Sequence, residues 1–176
     1  FGSYFFITKE RTKITMNLAT KLRPKSIDKI IGQSHLLGEG KILRRMVDSN
    51  TLSSMILYAP PGVGKTSIAA ALSGSMGIPF VMFNATKDDK KKLQEFAKTV
   101  EETGEPLIIA LDEIHRLDKP KQEFLLSFME EGLFIVIGTT TENPYIAINP
   151  AIRSRTQIFE LIPLTPEEIH QALKRA

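Results

Sequence analysis

The chain alternates between a helical and a strand-like spacing of its hydrophobic residues. Over Lys41–Asp48, Ile42, Leu43 and Met46 recur at helical spacing, with Gly38 and Gly40 ahead of them as breakers, and this predicts a short amphipathic helix. Met55–Tyr58 is an apolar run of strand length closed by a Pro/Gly loop, and Thr66–Ser73 is Ala-rich and helix-prone. Pro79–Phe83 predicts a second strand. Between Asp88 and Glu102, Leu93, Phe96, Ala97 and Val100 fall at i, i+3, i+4 and i+7 of a polar stretch, a surface helix that stops near Gly104. Leu107–Leu111 reads as a third strand, Leu133–Ile137 as a fourth and Gln157–Leu161 as a fifth. An amphipathic helix over Lys121–Glu131 carries Phe124, Leu125, Phe128 and Met129, and Gly132 ends it. The last helix, Pro166–Ala176, has Thr165 as its N-cap, with Glu167 and Glu168 where they favour the helix dipole. Strands alternating with helices imply an α/β fold: a parallel sheet covered on both faces through right-handed crossovers.

Composition narrows the class. At 176 residues and 42% hydrophobic, the chain suits one domain with a sizeable core, and two full domains would be too small. Its longest apolar runs are strand-sized, far below the roughly 20 residues of a membrane span, so no membrane partner is expected. Absence of cysteine removes disulfides, thiolate metal sites and cysteine nucleophiles, and three scattered histidines make a poor zinc site. Residues 1–50 carry a charge of +6 and the remainder −3. Without interleaved aromatics this basic third reads as solvated surface before it reads as a nucleic-acid footprint, and Lys90-Lys91-Lys92 reads the same way. Residues 1–16 fit neither template. They are an N-terminal extension or remnant, and the domain proper is expected over 17–176.

The sharpest chemical signal is Ala59-Pro60-Pro61-Gly62-Val63-Gly64-Lys65-Thr66, directly after a strand and before a helix that continues through Ser67. Gly62 and Gly64 let backbone N–H groups turn inward around phosphate oxygens, and the helix N-terminus adds its positive dipole end. Lys65 reaches the β- and γ-phosphates of ATP, and the Thr66 hydroxyl ligates Mg²⁺. Ala59 replaces the usual first glycine, which a negative φ at the strand end would tolerate. The competing reading is an accidental Gly-rich turn.

A second signal is Leu107–Leu111 ending in Asp112-Glu113. An apolar strand seldom finishes in adjacent carboxylates, because an unpaired buried charge is costly. Beside a phosphate loop, Asp112 would hold Mg²⁺ directly or through water, and Glu113 would polarise the attacking water; alone, the pair would read as helix-capping acids. Gly138-Thr139-Thr140-Thr141-Glu142-Asn143-Pro144 follows the fourth strand. Thr141, and next Thr140, is the candidate to contact the γ-phosphate or the water, unless the stretch is only a hydroxyl-rich turn. Arg153-Ser154-Arg155 follows a short helix suggested by Asn149-Pro150-Ala151; by itself it reads as surface charge. His115 reads as structural rather than catalytic. A kinase using the same loop has little use for Glu113, and a non-hydrolysing nucleotide sensor could dispense with it.

Together, Leu22-Arg23-Pro24, Ile31-Gly32-Gln33-Ser34-His35-Leu36-Leu37, the phosphate loop, Asp112–Leu117, Thr140–Pro144 and Asn149–Arg155 closely resemble the AAA+ ATPases of the RarA/MgsA replication-recombination family, relatives of clamp-loader subunits and of the RuvB branch-migration motor. The resemblance covers roughly residues 18–176. It implies a P-loop NTPase sheet of order 5-1-4-3-2 and ATP hydrolysis coupled to work on DNA at stalled or damaged forks. It also implies homo-oligomers, tetrameric in the family, with replication and repair proteins as partners and a cytoplasmic, nucleoid-associated location. By the same resemblance, Arg155 is an arginine finger entering a neighbouring subunit's site, and Leu18, Ile30 and Ile31 frame the adenine. Family members continue into a helical lid with a sensing arginine and a tetramerisation domain, both expected to lie beyond Ala176.

Replacing Lys65 by Ala removes a charge-assisted phosphate contact and should weaken ATP and ADP binding by about 1.5–3 kcal/mol. Titration calorimetry giving equal affinity for the two proteins would dismiss the loop as a phosphate site.

Overall fold

The computed structural model describes residues 25–61, 63 and 65–175. The expected extension over 1–16, Leu18, the Leu22-Arg23-Pro24 motif, and Gly62 and Gly64 of the phosphate loop lie outside the described residues. Thirteen elements follow in order: α1 (Ser34–Leu37), α2 (Ile42–Asp48), β1 (Met55–Tyr58), α3 (Lys65–Met76), β2 (Phe80–Asn84), α4 (Lys90–Thr103), β3 (Leu107–Asp112), α5 (Lys119–Glu130), β4 (Phe134–Thr140), α6 (Pro144–Ala147), α7 (Pro150–Arg153), β5 (Gln157–Glu160) and α8 (Pro166–Arg175). Short 3₁₀ turns at Ile27–Lys29 and Ile114–Arg116 complete them.

The strands form one sheet of order β2-β3-β4-β1-β5, the expected order read from its other edge. Every pairing is parallel. Successive strand residues point to opposite faces, so each face builds its own core. Met55 and Leu57, Ile108 and Ala110, and Ile135 and Ile137 pack with Ile68, Ala69 and Leu72 of α3 and Leu43 of α2. Ile56, Ile109, Leu111, Phe134 and Val136 pack on the other face with Leu93, Ala97 and Val100 of α4 and Leu125 of α5. Helix α3 can sit flat on the sheet because its buried side is largely alanine, and small side chains permit a close approach.

The helix ends follow local chemistry. Asp89 caps α4 by accepting from the Lys92 N–H, and Gly104 ends it in the left-handed conformation. Asp118 caps α5 through the Lys121 N–H, so that helix begins at Lys119, two residues before the expected start, with Pro120 in its first turn. Thr165 caps α8 as expected, its hydroxyl accepting from the Glu168 N–H at 3.2 Å.

One boundary differs in a way that bears on function. The fourth strand runs on to Thr140, so Gly138, Thr139 and Thr140 are strand residues rather than the loop expected there. Pairing explains it: the ladder with β1 continues through Leu57↔Thr139 and Tyr58↔Thr140, and tertiary hydrogen bonding outweighs the local turn tendency of the Gly-Thr run. Gly138 has a further reason to be glycine. A Cβ there would stand 2.5 Å from Ile114 Cδ1 and 3.3 Å from Ile114 Cβ and Cγ2, so the bare strand lets the turn after the acidic pair lie against it.

Gly138→Val should therefore destabilise the domain by about 1–3 kcal/mol through overpacking. In urea unfolding, combining it with Ile114→Ala should cost less than the two single changes together; strict additivity would refute the contact.

Candidate active site

In a parallel sheet with helices on both faces, chain ends emerging at the carboxyl edge form the natural crevice for a ligand. The phosphate loop leaves that edge from β1, and the acidic pair leaves it from β3. These two strands do not touch: β4 lies between them, hydrogen-bonded to both. Asp112 has the same parity as Ile108 and Ala110, which places it on the α3 face of the sheet, the face where the phosphate-loop helix packs.

Ala59 is fully buried and extends the ladder by donating its N–H to Thr140 O at 3.2 Å. It is absent from the positive-φ residues, so its methyl group costs the loop nothing. Pro60 and Pro61 are exposed, while Val63 packs half-buried against the α3-side core together with Ile30. Ile31 is half-buried beside it. Lys65, Thr66 and Ser67 make the first turn of α3, all half-buried. The Lys65 ammonium donates to Ala59 O at 3.0 Å and Pro60 O at 3.5 Å. Burial holds it below the usual lysine pKa, and attraction from Asp112 offsets part of that shift, so the two groups share one electrostatic environment.

Asp112 is exposed, and its Oδ1 accepts from both Thr139 Oγ1 at 2.7 Å and the Glu113 N–H at 3.1 Å. Among the described residues Oδ2 accepts no hydrogen bond. Glu113 adopts φ +56° and ψ +44°, a left-handed conformation uncommon for a side-chain-bearing residue and frequent at functional sites. This kink ends the strand and starts the 3₁₀ turn held down by Ile114. Glu113 Oε2 accepts from Thr86 Oγ1 at 3.2 Å. Thr86 in turn is set by Asn84 Oδ1 at the end of β2. Asp88 donates shape to the same loop by accepting from the Asn84 N–H at 2.7 Å. Burial raises its pKa, but that N–H, Lys92 and Lys121 outweigh burial and hold the carboxyl below its usual value.

Of the hydroxyls after Gly138, Thr141 is exposed just past the end of β4. Thr140 is buried and spoken for: its hydroxyl lies 2.9 Å from His115 Nδ1 and accepts from the Glu142 N–H at 3.0 Å. Thr139 and Thr86 escaped the sequence reading. Sheet order with register would have found Thr139, since continuing the β3–β4 pairing beyond Leu111↔Gly138 sets it opposite Asp112. Nothing in the local sequence points to Thr86.

Arg155 is not brought to this crevice. It follows α7 and precedes β5, whose first residue donates its N–H to Ser54 O, so it sits at the amino edge of the sheet. The full length of β1, about 13 Å at four residues, separates that edge from the phosphate loop. Its guanidinium is exposed, paired with Glu130 and donating to Ala151 O at 3.1 Å. In the Lys90-Lys91-Lys92 run, Lys92 pairs with Asp88 and Lys90 lies over the Phe124 ring, consistent with a surface role.

A family model described as the ATPase family associated with various cellular activities (AAA) matches residues 55–164. The chain belongs to the AAA ATPase family. Nucleotide binding comes with that membership. Among curated relatives, the replication-associated recombination protein A of Bacillus subtilis is 59% identical over 90% of this chain and 38% of its own length. Its Escherichia coli namesake is 36% identical over 90% of this chain and 36% of its own. The AAA chain described here thus spans less than two fifths of those relatives. Among solved structures, the RuvB Holliday junction branch migration motor of Thermotoga maritima superposes with a TM-score of 0.71 at 28% identity, over 88% of this chain and 53% of that one. The resemblance and the P-loop fold expected from the motifs are both borne out.

Proposed function

We propose that the chain is the Mg²⁺-dependent ATP-hydrolysing core of a protein that does conformational work on DNA in replication, recombination and repair. The observation that carries the chemistry is the convergence of Lys65, Asp112, Glu113 and Thr141 at one sheet edge, on elements that end there. Mg²⁺ prefers hard oxygen ligands and usually binds through one or two protein groups together with phosphates and water. The Thr66 hydroxyl and the Asp112 carboxylate, with Oδ2 unengaged among the described residues, fit that preference, and the bound ion would neutralise phosphate charge.

Lys65 holds the β- and γ-phosphates against the loop formed by residues 59–66, and Ser67 lies in the same first helical turn. Ile30 and Ile31 frame the adenine. Glu113 takes a proton from a water whose oxygen bonds to the γ-phosphorus as the bond to the β–γ bridging oxygen breaks, giving ADP and phosphate. Thr141 orients that water. Arg155, at the far edge of its own sheet, serves a neighbouring subunit's site in a homo-oligomer, a tetramer by resemblance to the family. DNA as the partner, association with replication and repair proteins, and a cytoplasmic location near the nucleoid rest on the relatives' names and the motif resemblance. The nucleotide-binding domain itself is read over 17–176.

Glu113→Gln in the full-length protein should leave ATP affinity near wild type and cut kcat by roughly 10²–10⁴. An unchanged kcat would remove Glu113 from the mechanism. For Arg155, the measurement is complementation: Arg155→Ala and Lys65→Ala proteins, each nearly inactive, should regain part of the wild-type rate when mixed and allowed to exchange subunits. A finger contribution of about 10³-fold or more makes such recovery easy to detect. Exchange verified by labelling, with no recovered turnover, would place Arg155 outside the mechanism.

A further inference from the structure

Asp112 can serve a metal only if its carboxylate is held still, and a carboxylate plane on its terminal torsion turns broadly in its two-fold well. The geometry points to Thr139 as the residue that sets this plane: we propose that Thr139 is a positioning residue for the metal-binding carboxylate, an inference that rests on the Mg²⁺ role given to Asp112 above.

Three observations meet here. The Thr139 hydroxyl donates to Asp112 Oδ1 at 2.7 Å, the short distance of a charge-assisted hydrogen bond. Thr139 is only 3% exposed, so water does not compete for the hydroxyl, although the carboxylate it grips is open to solvent. The Glu113 N–H donates to the same Oδ1 at 3.1 Å. Two donors converging on one oxygen, one from the neighbouring strand and one from the chain's own next residue, fix the carboxylate in two directions and leave Oδ2 as its coordinating atom.

The strand makes the hydroxyl rigid. Threonine is β-branched and stiff at χ1, and Thr139 is clamped between β1 and β3 in the middle of the sheet, paired with Leu57 on one side. Its parity matches Ile135 and Ile137, which turns its side chain to the α3 face that Asp112 shares. Thr140, one residue on, points the opposite way and is taken up by His115. Of these two neighbouring hydroxyls, Thr139 is the one turned toward the carboxylate. With its hydroxyl given to Asp112, Thr139 acts through that carboxylate.

The test separates orientation from folding. ADP binding to the full-length protein is measured by calorimetry in excess EDTA and again as Mg²⁺ is titrated in. Thr139→Val keeps the side-chain shape and removes the donor. It should bind ADP in EDTA as wild type does, but need roughly tenfold more Mg²⁺ to reach the metal-enhanced affinity. Thr139→Ser, which keeps the hydroxyl, should restore most of that response. Should the valine protein fail to fold by circular dichroism, Thr139→Ala takes its place with the same expectation. An unchanged Mg²⁺ midpoint in the donorless variant, or a serine variant as impaired as valine, would overturn the proposal. Wild type that binds ADP with no Mg²⁺ enhancement would overturn the metal role of Asp112 and this inference with it, an outcome distinct from a wild-type response that the variants share.

Discussion

The phosphate loop and the acidic pair come from strands that never touch, and both are hydrogen-bonded to β4, which lies between them. The two parallel ladders on that one buried strand therefore set the distance between cation and carboxylate. A shift of one residue in either ladder would turn Asp112 or the end of β1 to the opposite face. Such a slip is suppressed because both faces are apolar and packed: any slip would send Met55 and Leu57, or Ile109 and Leu111, into the wrong core. The hydrophobic alternation that drives folding thus also holds the register on which the chemistry depends.

The same strand carries the groups that finish the crevice. Gly138 admits Ile114 against the sheet, and this seats the turn in which Glu113 takes its left-handed conformation. Thr139 turns toward Asp112, and Thr140 toward His115. One peptide segment therefore steers the two acidic residues separately, Asp112 through a direct hydrogen bond and Glu113 through a packing contact. Lys65 closes the arrangement from the other side, its charge disfavoured by burial and favoured by Asp112.

Chain direction also separates functions in space. In a parallel sheet every strand presents its carboxyl end to the crevice and its amino end to the far edge, so a residue preceding a strand and a residue following one lie on opposite sides of the domain. Arg155 precedes β5 and Lys65 follows β1, its neighbour. That placement is in keeping with the proposal that Arg155 serves a neighbouring subunit's site.

Much of this was legible along the chain. The five strands, the principal helices and the residues of the phosphate loop and acidic pair announce themselves because their signals are local: hydrophobic period, capping acids, glycines at a strand end. The elements misjudged or missed have different causes. Gly138–Thr140 reads as a turn by composition, yet the ladder with β1 draws it into β4; the helices α1 and α6 are single turns, too short for a period to register. The partners of the acidic pair were not legible in the residues themselves. Thr139 lies 27 positions from Asp112, and Thr86 lies 27 from Glu113 on the other side; no local pattern marks either contact. By itself the sequence determined which groups could do chemistry and which strand ends carry them, because those depend on residue type and nearest neighbours. Which of three successive threonines grips the carboxylate, and that Arg155 faces away from its own crevice, was decided by tertiary structure alone, because strand order, register and side-chain parity arise only when distant segments pair.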